Sequence, residues 1–189
     1  GDRIDEKVVD EEIHNFPFDL NEQQKQAVHD CLEHNISVLT GLGGCGKSTI
    51  TKALSRIYRR CGFNVAHLSP TAKACRRLEE CIGTNDAQTI HKFLGIKKDG
   101  EYRSASKYNE DSVLIVDEAS MLDILLFNSL LAGTNLTTRI LLIGDNHQLP
   151  SVQAGNVLGD LIDSKVVHVS ELTDIMRQKE NSNIIKYCT

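Results

Sequence analysis

Short runs rich in aliphatic residues alternate along the chain with segments whose apolar positions are spaced as in a helix. The runs cover residues 36–40, 63–69, 113–116, 139–143 and 166–169, and they predict strands that are buried on both faces. The spacing predicts helices over residues 21–34, 47–60, 72–81, 88–94 and 122–131, and a last helix from about residue 181. Strands that alternate with helices indicate an α/β fold, with a mostly parallel sheet and helices on both of its faces.

Two segments depart from this alternation. Residues 1–19 are acidic and lack clean periodicity, so we expect an extended lead-in before a domain over residues 20–178. Residues 95–112 are polar and contain two glycines and three lysines, which predicts a short surface insertion.

The composition narrows the class of protein. A chain of 189 residues is long enough for one large domain, and an aromatic content of 5% indicates an aliphatic core. No apolar run approaches the roughly 18 residues of a membrane helix, and no signal peptide opens the chain. The six cysteines include no C-x-x-C pair, so we expect reduced thiols in the cytoplasm and no membrane association. The start at Gly1 rather than Met suggests a fragment.

Residues 41–48 fit the phosphate-binding pattern G-x-x-x-x-G-K-[ST] between a predicted strand and a predicted helix. Glycines let backbone N–H groups converge on phosphate oxygens, and the helix start adds the positive end of its dipole. Lys47 would reach the β- and γ-phosphates of a nucleoside triphosphate, and the Ser48 hydroxyl would bind Mg²⁺. The predicted nucleotide contacts are Gly43, Gly44, Cys45, Gly46, Lys47, Ser48 and Thr49.

Two carboxylates follow the buried strand over residues 113–116. The carboxyl end of that strand lies at the sheet edge where the P-loop opens. Asp117 would hold Mg²⁺ opposite Ser48, and Glu118 would orient and deprotonate the attacking water, which predicts hydrolysis. Residues 144–150 follow the next strand and place Gln148 at the same edge, where an amide can act as a γ-phosphate sensor. An ordinary loop is the alternative interpretation of that segment.

Charge adds little to this prediction. The net charge of −5 argues against a general polyanion-binding surface but leaves room for a local basic track. Most cations on helices are simply solvated. The candidates for such a track are Lys52, Arg56, Arg59, Arg60, Lys73, Arg76 and Arg77.

Taken in chain order, these segments resemble the motifs of superfamily 1 helicases, most closely the RecD-like group. The resemblance covers about residues 19–178. Residues 41–48 are similar to motif I, and residues 117–120 to motif II. The remaining matches are residues 20–28 (the adenine-reading Q motif), 69–73 (motif Ia), 89–91 (the motif after it), 144–150 (motif III) and 171–178 (motif IV).

The resemblance implies a RecA-like P-loop NTPase domain that uses ATP and Mg²⁺ and moves 5′ to 3′ on single-stranded DNA. It assigns Gln24 to the adenine base, and it assigns Gln148 and Arg177 to the γ-phosphate. Lys47 and Glu118 complete the expected catalytic set. The implied nucleic-acid contacts are Pro70, Thr71, Lys73, Thr89 and His91. For His91, burial at a helix start is an equal alternative.

The family also has a second RecA-like domain, which this chain does not include. Residues 179–189 would begin the link to it, and we expect weak activity from this chain alone. The insertion over residues 95–112 is short for the wedge-bearing subdomain of the family.

Other functions stay open at this point. An RNA helicase of the same superfamily would share these residues, because 2′-hydroxyl recognition depends on geometry. A P-loop ATPase acting on proteins would account for motifs I and II but not for Gln24, Gln148 and Arg177. A non-catalytic binding module would not need Lys47 and Glu118. The sequence does not indicate an oligomeric state.

Overall fold

The described part of the protein is built on one parallel β-sheet. A computed structural model describes residues 3–42, 46–95, 111–135, 137–145 and 155–173. Within these ranges six strands pair in the order β3-β2-β4-β5-β1-β6, and every pair is parallel. The strands are β1 (Ile36–Gly41), β2 (Asn64–Ser69), β3 (Gln88–Thr89), β4 (Ser112–Val116), β5 (Arg139–Gly144) and β6 (His168–Leu172).

The central strands are buried on both faces, which explains their unbroken apolar sequence. In β4, Val113 and Ile115 pack into one core, and Leu114 and Val116 pack into the other. This division follows from the pleat, because successive side chains of a strand point to opposite faces.

Helices cover both faces of the sheet. The first core is covered by α1 (Glu6–Asn15), α2 (Glu22–Glu33) and α3 (Lys47–Arg60). The second is covered by α5 (Ile90–Leu94), α6 (Ile124–Ala132) and α7 (Val157–Ser164). Helix α4 (Ala72–Ile82) packs against α3 and β2. The predicted α/β class with helices on both faces is therefore confirmed.

Local signals placed several helix ends correctly. Asn21 and Gln24 form a capping box that starts α2, with N···O distances of 2.8 and 3.0 Å. Helix α4 ends at Gly83, whose φ of 74° is in the left-handed region that glycine adopts without strain.

The expectation of an extended lead-in over residues 1–19 was wrong. Helix α1 begins at the N-cap Asp5 and buries Val9 completely in the first core. Its Glu12 lies 3.1 Å from Arg56 and 3.3 Å from Arg60, and Glu11 lies 2.7 Å from Arg60. These long-range ion pairs and the single buried valine stabilise the helix through tertiary packing, which local periodicity does not reveal.

Three further differences concern element boundaries. Helix α7 was not predicted. Strand β6 begins at His168 rather than at residue 166, and residues 88–94 divide into the short strand β3 and helix α5. Ser112, placed at the end of the predicted insertion, is fully buried at the start of β4. The rest of that insertion over residues 96–110 and the predicted helix from about residue 181 lie outside the described residues.

None of the helices in the described ranges is long and apolar enough to cross a membrane.

A buried histidine lies between the sheet and α3. His67 of β2 is 1% exposed, and its Nε2 is 2.9 Å from the Ser55 hydroxyl. Its Nδ1 has no hydrogen-bond partner among the described residues. Burial lowers the pKa of His67 to about 4, an effect that Arg59 reinforces and Asp86 opposes.

The neutral form of His67 is thus the form that the folded protein accommodates. The contribution of neutral His67 to the stability of the fold is complete above 6.5, the pKa of histidine in the unfolded chain. It is lost as the pH falls from there towards about 4, the pKa of His67 in the folded protein. Between pH 7 and pH 4.5, we expect the free energy of unfolding of the wild type to fall by about 2 kcal/mol more than that of His67→Gln. Urea unfolding at both pH values measures this difference. The exposed His14→Gln variant should keep the wild-type profile, and a wild-type profile in His67→Gln would contradict the prediction.

Candidate active site

The parallel sheet brings the start of the P-loop and the Asp117–Glu118 pair to one edge. Strands β1, β5 and β4 are neighbours, and their carboxyl ends lie at Gly41, Gly144 and Val116. The P-loop follows β1, and Asp117 and Glu118 follow β4. Ligands of open parallel sheets bind at this edge, beyond the carboxyl ends of the strands.

Helix α3, which follows the P-loop, differs from the other described helices at its N-terminus. Its N-cap is Gly46, with a φ of 83°, and no side-chain hydrogen bond caps it. The backbone N–H groups of residues 47–49 therefore have no helical acceptor and no side-chain cap within the described chain. The other six described helices are capped by Asp5, Asn21, Thr71, Thr89, Asp123 and Asn156. An uncapped helix start with free N–H groups suits an anion.

Lys47 lies at this helix start. Its half-buried ammonium group donates a hydrogen bond to the Gly41 carbonyl, across the mouth of the loop. The Ser48 side chain is exposed and the Thr49 side chain is half-buried. Gly43, Gly44 and Cys45, also predicted as nucleotide contacts, lie outside the described residues.

Asp117 directly follows β4, and its N–H donates a hydrogen bond to the Leu68 carbonyl of β2 at 2.8 Å. Burial raises the pKa of Asp117 above its usual range; the charge of Glu118 adds to the rise, whereas Lys47 and Arg77 oppose it. A partly buried carboxylate of this kind is stabilised by a cation beside it. Together with the Ser48 hydroxyl it supplies hard oxygen ligands, the type that Mg²⁺ prefers. The residues present therefore fit a magnesium ion.

Glu118 has an unusual backbone. Its φ of 50° is left-handed, a conformation that costs about 1 kcal/mol or more for a residue other than glycine and that clusters at functional sites. It precedes a 3₁₀ turn over Ala119–Met121. Its carboxylate accepts a hydrogen bond from the Arg77 guanidinium of α4 at 2.9 Å. No pattern in the sequence marked Arg77 as a partner of this carboxylate.

Gly144 couples the end of β5 to that turn. A Cβ placed there would lie 2.7 Å from the Leu158 side chain and 3.1 Å from the Ser120 backbone nitrogen. Only glycine lets the two segments approach so closely.

Gln24 already has one structural task. The Gln24 side-chain oxygen accepts a hydrogen bond from the Asn21 N–H in the capping box of α2, and Gln24 is 1% exposed. Its buried Nε2 has no hydrogen-bond partner among the described residues. The amide nitrogen is thus the group that remains for a ligand.

The adjacent Gln23, which the sequence did not single out, joins α2 to the end of β6. Its Nε2 donates to the Thr173 hydroxyl and its Oε1 accepts from the Thr173 N–H, both at 2.9 Å. Leu172 of β6 is in turn paired in register with Gly41 of β1. The end of β6 and Thr173 therefore lie beside the P-loop strand. Arg177 and Gln148 themselves lie outside the described residues.

The predicted nucleic-acid contacts gather at the β2–β3 side of the same edge. Ser69 pairs in register with Thr89, so the loops that open α4 and α5 are adjacent. Thr71 caps α4 through Ala74 N–H at 3.2 Å, and Thr89 caps α5 through Lys92 N–H at 3.1 Å. Pro70 is half-buried, whereas Lys73 and His91 are exposed, so the burial alternative for His91 is wrong.

Most of the cations named as candidates for a basic track form ion pairs within the fold. Arg56 and Arg60 bind α1, Arg59 lies 3.2 Å from Asp86, and Arg77 binds Glu118. Four of the seven cations named in the sequence are therefore neutralised within the fold, which leaves only part of the proposed basic track.

Comparisons with known proteins agree with this geometry. The family described as an AAA domain matches residues 19–187. The chain is 38% identical over 167 residues to the ATP-dependent RecD2 DNA helicase of Deinococcus radiodurans, covering 88% of this chain and 23% of that protein. It is 32% identical over 163 residues to the RecBCD enzyme subunit RecD of Haemophilus influenzae, covering 73% of this chain and 26% of that protein. The chain thus spans about a quarter of the length of these relatives.

A solved structure is similar in fold. The Pif1 helicase from Candida albicans superposes with a TM-score of 0.64 at 24% identity, over 85% of this chain and 41% of that chain. The family match and the relatives confirm the resemblance inferred from the motifs. The chain belongs to the AAA-domain family and is a domain of the superfamily 1, RecD-like helicase type.

Proposed function

We propose that this chain is the first motor domain of an ATP-dependent helicase that translocates on single-stranded DNA in the 5′ to 3′ direction. The observation that carries the proposal is the uncapped start of α3, whose first residue is Lys47. It lies at the sheet edge where Asp117 and Glu118 follow β4. Free N–H groups, one ammonium and two carboxylates are the groups that a P-loop ATPase needs.

Nucleotide binding follows from the α3 N-terminus. The N–H groups of residues 47–49 would bind phosphate oxygens, and the Lys47 ammonium would move from the Gly41 carbonyl to the β- and γ-phosphates. Ser48 and Asp117 would hold Mg²⁺, which supplies charge neutralisation on the transferring phosphoryl group. The unpartnered Nε2 of Gln24 would donate to a ring nitrogen of the adenine base.

Hydrolysis depends on Glu118. Its carboxylate would accept a proton from the attacking water, while Gln148 and Arg177 would contact the γ-phosphate. In this structure Glu118 Oε1 accepts a hydrogen bond from Arg77, so the carboxylate is held towards α4 and would have to turn from it to face the attacking water.

Single-stranded DNA would lie across the adjacent starts of α4 and α5. A threonine hydroxyl that accepts a capping N–H still has its own hydrogen to donate to a phosphate oxygen, and Lys73 adds a cation beside it. His91 offers an exposed ring for stacking. One relative is named a DNA helicase, which favours DNA over RNA. ATP hydrolysis would alter closure against a second RecA-like domain that follows residue 178, and that motion would step the motor.

Replacing Lys47 with alanine should weaken ATP binding about 10- to 100-fold, because charge-assisted contacts to two phosphates are lost. Titration of the purified protein with a fluorescent ATP analogue measures the Kd. Lys52→Ala on the same helix serves as the matched control and should leave the Kd within about twofold. Equal affinities of Lys47→Ala and wild type would refute the phosphate assignment.

Replacing Glu118 with glutamine should lower kcat for ATP hydrolysis in the full-length protein about 100-fold or more, because the amide cannot accept the proton of water. The KM for ATP should change little, since glutamine keeps the shape of the side chain. Steady-state phosphate release measures both constants. Glu80→Gln on α4 is the control, and a wild-type kcat in Glu118→Gln would show that another group is the base.

Single-stranded DNA should stimulate ATP hydrolysis by the full-length protein more strongly than RNA of the same sequence does. Lys73→Ala should weaken DNA binding and reduce the slope of log K against log [salt] by about 0.7, the value for one lost phosphate contact on a single strand. Fluorescence anisotropy over a salt series measures the slope, with Lys7→Ala on α1 as control. Stronger stimulation by RNA would favour the RNA-helicase alternative, and no stimulation by either would favour an ATPase acting on proteins.

A further inference from the structure

The carboxylate proposed as the catalytic base is held by a cation from another helix. The Arg77 Nη1 lies 2.9 Å from Glu118 Oε1. The Glu118 side chain is 26% exposed, whereas that of Arg77 is 61% exposed. The pair therefore joins a partly sheltered carboxylate to a guanidinium that solvent and ligands can reach.

We propose that Arg77 is a positioning residue that keeps Glu118 from activating water until a single strand binds at the start of α4. This inference rests on the proposed function. Charge-assisted hydrogen bonds from arginine are directional, so the pair holds the carboxylate against α4. The left-handed backbone of Glu118, with a φ of 50°, gives it a further constraint in the same state.

Two contacts connect this pair to the proposed DNA edge. The Asp117 N–H donates to Leu68 O near the end of β2, one residue before the loop over residues 70–71 begins after Ser69. Arg77 lies on α4, whose first turn is capped by the Thr71 hydroxyl. A displacement of the loop or of α4 is therefore transmitted to residues 117–118 both through the backbone and through the ion pair.

The ligand itself also competes for Arg77. Thr71 and Arg77 are six positions apart on α4, which is about 9 Å along the helix axis. Guanidinium groups bind phosphate in a bidentate manner, so a strand bound at the start of α4 offers Arg77 an alternative anion. When Arg77 turns to a phosphate, Glu118 is free to bind water. The trigger is thus an exchange of one anion for another on the same guanidinium.

Arg76 provides a matched comparison. It is the adjacent residue of α4, it is exposed, and no ion pair joins it to another described residue. Replacing it removes the same charge from the same helix without touching Glu118.

The test uses the full-length protein at saturating Mg·ATP, with and without saturating single-stranded oligothymidine. Arg77→Ala should raise kcat without DNA about three- to fivefold, the size expected for a half-exposed ion pair. It should leave KM for ATP and kcat with DNA within about twofold, so that the stimulation by DNA shrinks. Arg77→Lys should fall between Arg77→Ala and wild type, and Arg76→Ala should match wild type in the absence of DNA.

Salt dependence separates this role from a purely structural one. Raising the salt concentration screens the pair, so kcat of the wild type without DNA should increase, whereas kcat of Arg77→Ala should not. An unchanged DNA-free kcat in Arg77→Ala would overturn the proposal, and so would an equal decrease with and without DNA. Failure of the proposed function would give a different result: Glu118→Gln would hydrolyse ATP with the kcat of the wild type.

Discussion

The parallel direction of the strands is the constraint on which the site depends. Because all of the paired strands run the same way, the segments that leave β1, β4 and β5 emerge at one edge. Their interiors must then be apolar on both faces, since helices cover each side. The P-loop, Asp117 and Glu118 accordingly follow the ends of strands. The hydrogen bonding between β4 and β2 continues for one residue beyond Val116, because the Asp117 N–H donates to Leu68 O.

The cations of α3 differ in whether they form ion pairs. The acidic helix α1 neutralises Arg56 and Arg60 in the C-terminal half of α3. At the start of α3, no ion pair joins Lys47 to a carboxylate among the described residues, and its ammonium group donates to the Gly41 carbonyl. The same helix thus has a neutralised end and an end suited to anions. A protein with a net charge of −5 can in this way present a local anion site.

Much of the fold could be predicted from the sequence because its signals are local. The apolar runs marked the central strands, and the capping residues Asn21 and Gly83 marked helix ends. Helix α1 was missed because ion pairs to α3, distant in sequence, stabilise it. The P-loop pattern and the Asp117–Glu118 pair located the candidate site, since strand ends carry positional information. The Arg77 contact could not be predicted, because it depends on how α4 is placed relative to the residues that follow β4.

The backbone of Glu118 has a consequence for the balance between stability and activity. A left-handed φ is free of strain only for glycine, so the backbone at Glu118 carries about 1 kcal/mol of strain. The half-exposed ion pair with Arg77 offsets at most a similar amount. The fold therefore gains little or no stability from the group proposed to do its chemistry.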